Sequence, residues 1–253
     1  MYKTKRIIGF AVFLLLIIFG VSYFFLSREE VAEFVQCGDS IGYMGYNYST
    51  VEIGDMCFFA ENLRTDRYSN GDAIDHMEDD EEWGETEEGA FSYYDNNPEE
   101  HGHYGKLYNF YAVSDERGIC PQGWRVPSDE DWMEMEAYLG MCEGRDEGCT
   151  ERMDERGEDA YVGEKLKAKG EWEYSSGEMV NESGFSALKG GKRNPGGSFI
   201  GISLRADYWT SRERFETYAW GRTLFERKRG VFRGFERVNH GSYVRCVKEV
   251  EVE

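Results

Sequence analysis

Proline is scarce in this chain of 253 residues, with four in all, and histidine is equally rare. With 30 glycines and 15% aromatic residues, so little proline rules out a polyproline stalk and points to a turn-rich, aromatic-packed domain. No Cys-x-x-Cys pair exists, which removes the usual ligand spacing of a structural zinc site. Nucleophilic catalysis lacks its signature too, because there is no Gly-x-Ser-x-Gly elbow. Gly190-Gly-Lys-Arg-Asn-Pro-Gly-Gly197 lacks the Gly-Lys-Ser/Thr ending of a phosphate loop and reads as a turn between strands. Positive charge is short as well: 29 Lys and Arg face 49 Asp and Glu, for a net charge of −20. Such a balance argues against nucleic acid and anionic lipid surfaces as partners.

Charge is absent altogether from Ile7 to Leu26. At about 1.5 Å rise per residue, twenty helical residues span roughly 30 Å, the hydrocarbon thickness of a bilayer. Ser22-Tyr-Phe-Phe-Leu26 offers no small-x-small cleavage site, and Cys37 follows no lipobox-like pattern. Lys3, Lys5 and Arg6 precede the span and Arg28-Glu29-Glu30 follow it, which orients the N-terminus inward. The expected organisation is a cytoplasmic tail (1–6), an uncleaved transmembrane anchor in the lipid bilayer (7–26), a tether (27–36) and an extracytoplasmic domain (37–253). The chain is expected to be a single-pass protein of the cell membrane.

All six cysteines lie beyond that span. An even count in an oxidising compartment makes Cys37, Cys57, Cys120, Cys142, Cys149 and Cys246 disulfide candidates, with buried thiols as the alternative. Six cysteines allow many pairings. Cys142 and Cys149 bracket the polar loop Glu143–Gly148, a natural local bridge.

The most tightly specified stretch is Ile119-Cys-Pro-Gln-Gly-Trp-Arg-Val-Pro-Ser-Asp-Glu-Asp-Trp132. Pro121 and Gly123 mark a turn, Trp124–Val126 is extended, and Pro127 biases Val126 away from helix. Ser128 is a good N-cap, and Asp129, Glu130 and Asp131 fill the first helical turn at the positive end of the dipole. Trp132, Met135 and Leu139 share one face, and Gly140 stops the helix. Thr50–Ile53 and Cys57–Ala60 suggest a hairpin. Short strands and glycine-rich turns dominate from Ser183 onward, and Glu143–Glu158 looks like a surface insertion.

Met77–Glu88 carries eight carboxylates and reads as a solvated, mobile loop. Its functional alternative is a ligand or calcium surface made of Asp79, Asp80, Glu81, Glu82 and Trp83. Trp83 is the tryptophan expected at an exposed surface; Trp124, Trp132, Trp172, Trp209 and Trp220 are expected in the core. No resident cofactor is expected, calcium being the one candidate ion. His101-Gly-His103 with Asp95, Glu99 and Glu100 forms a possible metal cluster, weighed against a polar loop, which is the reading kept. His240 has no acid–base partner nearby in sequence and reads as structural or exposed.

Several segments occur in a distinctive order. Phe58-Phe-Ala-Glu-Asn-Leu63, Tyr104-Gly-Lys-Leu-Tyr-Asn-Phe-Tyr-Ala-Val113 and Ile119–Trp132 are followed by Gly163-Glu-Lys-Leu-Lys167, Asn181–Gly191, Tyr208-Trp-Thr-Ser211 and Tyr243-Val-Arg-Cys-Val-Lys248. In this the chain resembles the Fibrobacter succinogenes major paralogous domain of bacterial surface proteins, from about Cys37 to Lys248. The resemblance implies an α+β, C-type-lectin-like fold related to the formylglycine-generating enzymes, with short twisted antiparallel sheets, two helices and long loops. It implies that the chain ends meet in one sheet and that Cys120 bonds Cys246. The enzymatic relatives use a C-terminal cysteine pair to bind copper. Arg229–Val244 holds no cysteine, and Cys246 matches a structural position, so catalysis is not expected. The expected function is a membrane-anchored, non-catalytic binding or scaffold protein of the bacterial surface, its partner a glycan, polymer or protein. The alternatives are an enzyme related to those oxidases and a purely structural envelope component.

Overall fold

Residues 36–142, 148–173 and 180–250 are described by the computed structural model. The apolar span Ile7–Leu26 and residues 27–35 of the tether lie outside them; among the described residues no helix is long and apolar enough to cross a membrane.

The hairpin expected near Thr50 is present. β1 (Ser40–Tyr43), β2 (Tyr46–Ile53) and β3 (Met56–Phe59) run antiparallel in sequence order. Gly54 takes the positive φ, +65°, that the tight turn between β2 and β3 demands. β4 (Asp75–His76), β5 (Ala90–Ser92) and β6 (Leu107–Tyr108) make a small second sheet. The largest sheet holds β7 (Asp154–Arg156), β8 (Gly190–Arg193), β9 (Phe199–Ile202), β10 (Arg205–Phe215), β11 (Tyr218–Phe225) and β12 (Val231–Arg237). Its spatial order is β7-β12-β11-β10-β8-β9. β13 (Val247–Glu249) returns to pair with β3, Val247 opposite Phe58, so the first and last strands share one sheet. The sheets are not purely antiparallel. β10 meets β8, and β5 meets β4, in parallel, because each intervening segment carries the chain back before the second strand begins.

Five α-helices are described rather than two: α1 (Asp80–Glu85), α2 (Pro98–His101), α3 (Phe110–Ser114), α4 (Asp129–Tyr138) and α5 (Val162–Leu166). Only α4, at ten residues, exceeds two turns. The others are single turns too short to persist alone, held by capping and tertiary contact. α4 begins where its sequence requires. Asp131 N donates to Ser128 Oγ at 3.1 Å while Ser128 N donates to the Asp131 carboxylate, a reciprocal capping box. Gly140, at φ +98°, ends it by donating to Ala137 O.

Trp132, Met135 and Leu139 enter a core with Phe58, Phe185 and Tyr208. A second core gathers Phe59, Tyr108, Trp124 and Trp209. All five tryptophans expected inside are buried. Three disulfides are present: Cys37–Cys57 and Cys120–Cys246 lie within the second core and Cys142–Cys149 within the first. The long-range Cys120–Cys246 pairing is the one the family resemblance implied.

Candidate functional site

The segment after α3 builds a cleft of about 590 Å³, bordered by Tyr43, the turn at Ser69-Asn70, Glu116 to Val126, and Ser211. Every wall is fixed. Trp124 N closes the Pro121–Gly123 turn on Pro121 O at 2.9 Å, and Cys120 is bonded to Cys246 behind it. Arg117 grips Asp115 through Nε and Nη2 at 2.8 and 2.7 Å and stacks 3.9 Å over Tyr68. Those hydrogen bonds hold the Asp115 carboxyl below its usual range. Ser69 fastens the opposite wall, its N donating to Gly118 O and its Oγ to Arg117 O. Tyr43 Oη donates to Ile119 O at 3.2 Å, and burial pushes this phenol up to about 12. Arg125 forks onto Asp131, coupling the cleft to the start of α4. Against these committed groups, Gln122 and Glu116 reach from the rim without a hydrogen-bond partner among the described residues. A preformed hollow of this volume, with a few unengaged polar groups at its mouth, is the ordinary form of a small-ligand site.

The acidic segment departs from its reading as a mobile loop. Asp79 caps α1, its Oδ1 accepting from Glu81 N at 2.9 Å and Glu82 N at 3.0 Å. Asp79, Asp80, Glu81 and Glu82 are exposed, as expected, but Trp83 is fully buried. Its Nε1 donates to Asn239 O at 2.7 Å. Arg193 lies 4.4 Å over the Trp83 ring and donates to Glu78 O, Asp79 O and Asp80 Oδ1 at 2.9, 3.3 and 3.0 Å. A single turn directs one side chain inward while its neighbours splay outward, so the charge run concealed an anchor. The carboxylates therefore do not converge. Among the described residues no group of three or more His, Cys, Asp or Glu is arranged to hold a metal. Arg193→Ala removes the ring contact and at least three charge-assisted hydrogen bonds, and it should lower stability by about 2–3 kcal/mol. Limited digestion with a glutamate-specific protease should then cut first within 77–88; an unchanged cleavage order would show that Trp83 alone holds the segment.

The histidines do not converge either. His101 is turned in against Tyr94, ring centroids 5.3 Å apart, at the end of a helical turn rather than in a loop. His103 is exposed and its Nδ1 meets Glu100 O at 3.0 Å. His240 is buried beside Glu236, at 3.1 Å, but Lys192 Nζ also holds that carboxylate, at 2.8 Å. Burial, aided by the Lys192 charge, keeps His240 neutral and pulls it down to about 3.

A buried charge cluster escaped the sequence reading. Arg222 donates through Nε to Glu136 Oε1 at 2.7 Å and through Nη1 to Asp129 Oδ1 at 2.6 Å. Arg233 reaches Asp129 from β12, and Arg156 reaches Glu136 from β7. The signal was present: Asp129 and Glu136 are seven apart on α4, on the same side as Trp132 and Leu139, so each needed a cationic partner inside. The cluster lies beneath the sheet and is not part of the cleft.

Three sheets, the first completed by the terminal strand, with single-turn helices and three disulfides, define a disulfide-braced α+β domain with a preformed cleft. The Fibrobacter succinogenes major domain matches residues 51–248. The chain belongs to that family. No curated protein and no solved structure matches it.

Proposed function

We propose that this is a membrane-anchored, non-catalytic extracytoplasmic binding protein of the bacterial surface, its domain C-type-lectin-like, and that the cleft beside Cys120 takes a glycan. The observation that carries the reading is the cleft itself: about 590 Å³, walls locked before any ligand arrives, and free amide and carboxylate groups of Gln122 and Glu116 at the rim. Planar polar side chains on a rigid frame suit the hydroxyls of a saccharide, since little ordering cost is left to binding. The uncharged run Ile7–Leu26 behind a basic cluster supports the anchor and the outward placement of the domain. All six cysteines are bridged. A thiolate pair for copper chemistry therefore has no source in this chain, which supports binding over the enzyme alternative.

The test is retention of the detergent-solubilised full chain on neutral glycans and on cell-wall fractions, with calcium and with chelator. Glu116→Ala/Gln122→Ala should weaken retention about ten-fold with no change in melting temperature. Equal retention by both proteins would place binding elsewhere; no retention by either would favour a purely structural envelope component. Loss of binding in chelator alone would restore calcium to the account.

A further inference from the structure

Arginine is committed almost everywhere in this protein. Arg193, Arg222 and Arg233 are buried against carboxylates and carbonyls, and Arg117, Arg125 and Arg205 each hold an aspartate. Arg212, Arg214 and Arg237 differ. All three are exposed, and none has a carboxylate within ion-pair distance among the described residues.

They gather at the outer end of the largest sheet. Residues 211–217, the end of β10 and its turn into β11, are exposed without interruption. Phe215 pairs with Tyr218, which in turn pairs with Arg237 on β12. Arg233, Phe235 and Arg237 alternate along β12 and so share one face. The Arg214 guanidinium sits on that face, 4.6 Å from the Trp220 ring, 4.9 Å from Phe215 and 5.9 Å from Phe235. Phe235 meets Phe215, Tyr218 and Trp220 edge-on at 5.8, 5.6 and 5.9 Å. Phe215 is 55% exposed, among the most exposed large apolar side chains of the described residues.

A guanidinium lying on rings keeps its N–H edge outward, and that planar fork matches a carboxylate. The exposed ring beside it offers an apolar face to the C–H side of a sugar. The chain's net charge of −20 does not forbid an anionic ligand, because at physiological salt it is screened beyond about 8 Å; Glu213 and Glu216 are exposed beside the arginines, so recognition rests on the guanidinium forks rather than on net charge. Ser211, at the cleft, directly precedes Arg212 on β10.

We propose that the sheet end carrying Arg212, Arg214 and Arg237, with Phe215, binds a carboxylated polysaccharide. This rests on the proposed glycan-binding function and adds the ligand's charge class.

The experiment compares the detergent-solubilised full chain with its R212A/R214A/R237A and R212K/R214K/R237K variants at physiological salt. The probes are polygalacturonate, dextran and polyglutamate of matched length. Polygalacturonate should bind about ten-fold or more tighter than either of the others. The alanine variant should lose that margin while keeping its dextran affinity and melting temperature. The lysine variant should recover only part of it, since charge returns without the fork, and Phe215→Ala should weaken polygalacturonate but not polyglutamate. Polyglutamate binding as tightly as polygalacturonate would overturn the proposal in favour of an acidic protein partner. Dextran binding equally well, or an unaffected alanine variant, would overturn it while leaving the cleft reading intact; retention of no glycan at all would overturn both.

Discussion

Glu136→Gln is expected to destabilise the folded protein by about 3–5 kcal/mol, the usual consequence of removing one partner from a buried ion pair. Glu136 is fully buried and holds Arg222 at 2.7 Å and Arg156 besides. Without its charge, the three guanidinium groups of Arg156, Arg222 and Arg233 remain in the interior with one aspartate, Asp129, which Arg222 and Arg233 already share. Glu134→Gln, two residues earlier on the exposed face of the same helix, should stay within about 0.5 kcal/mol and controls for helix propensity. Urea unfolding followed by tryptophan fluorescence measures both; near-equal midpoints would show that the cluster is not what joins α4 to the sheet.

The same cluster sets an acid limit. Burial pushes the Asp129 carboxyl up, but hydrogen bonds and charge from Arg233 and Arg222 prevail and hold it below its usual value. A carboxyl lowered in the folded state contributes stability that is complete above the unfolded value, near 4, and is lost as pH falls through the folded value. Asp129→Asn should therefore remove stability at neutral pH and flatten the acid limb of the unfolding curve.

The second large effect concerns the Cys120–Cys246 bridge. Its partners are 126 residues apart, against 7 for Cys142–Cys149. On the chain-entropy estimate the long loop contributes roughly 5 kcal/mol and the short one roughly 2.5. The long bridge also braces the cleft, since Cys120 forms part of its wall. Cys120→Ser/Cys246→Ser should lower the melting temperature well beyond Cys142→Ser/Cys149→Ser and abolish retention on glycan at temperatures where the short-loop variant still binds. Comparable melting temperatures for the two double variants would show that sheet pairing between β3 and β13 alone fixes the last strand.

Local chemistry was readable and distant partnership was not. Pro127-Ser128 and the spacing Trp132–Met135–Leu139 specify α4 because cap and apolar stripe both lie within ten residues. The β2–β3 hairpin is local in the same way. Trp83 was misplaced because its hydrogen-bond acceptor, Asn239 O, is 156 residues away and its cationic cover, Arg193, arrives on another strand. The cleft walls at Ser69, Tyr43 and Ser211 come from three separate parts of the chain, and no local pattern announces that they meet. Only the Ile119–Val126 wall was visible beforehand, as a turn. The arginine face was hidden for a related reason: that Arg212, Arg214 and Arg237 have no ion-pair partner among the described residues is known only once the carboxylates of those residues have been placed.

The Cys37–Cys57 bridge has a mechanical consequence. A pull on the chain just before Cys37 crosses that covalent link at once and enters β3, bypassing β1 and β2. From β3 it passes into β13 through their ladder and, through Cys246, into the wall of the cleft at Cys120. The first hairpin therefore carries no load, and a force between the chain before Cys37 and the cleft wall is borne by two sulfur bridges and one strand pair rather than by the hydrophobic layers.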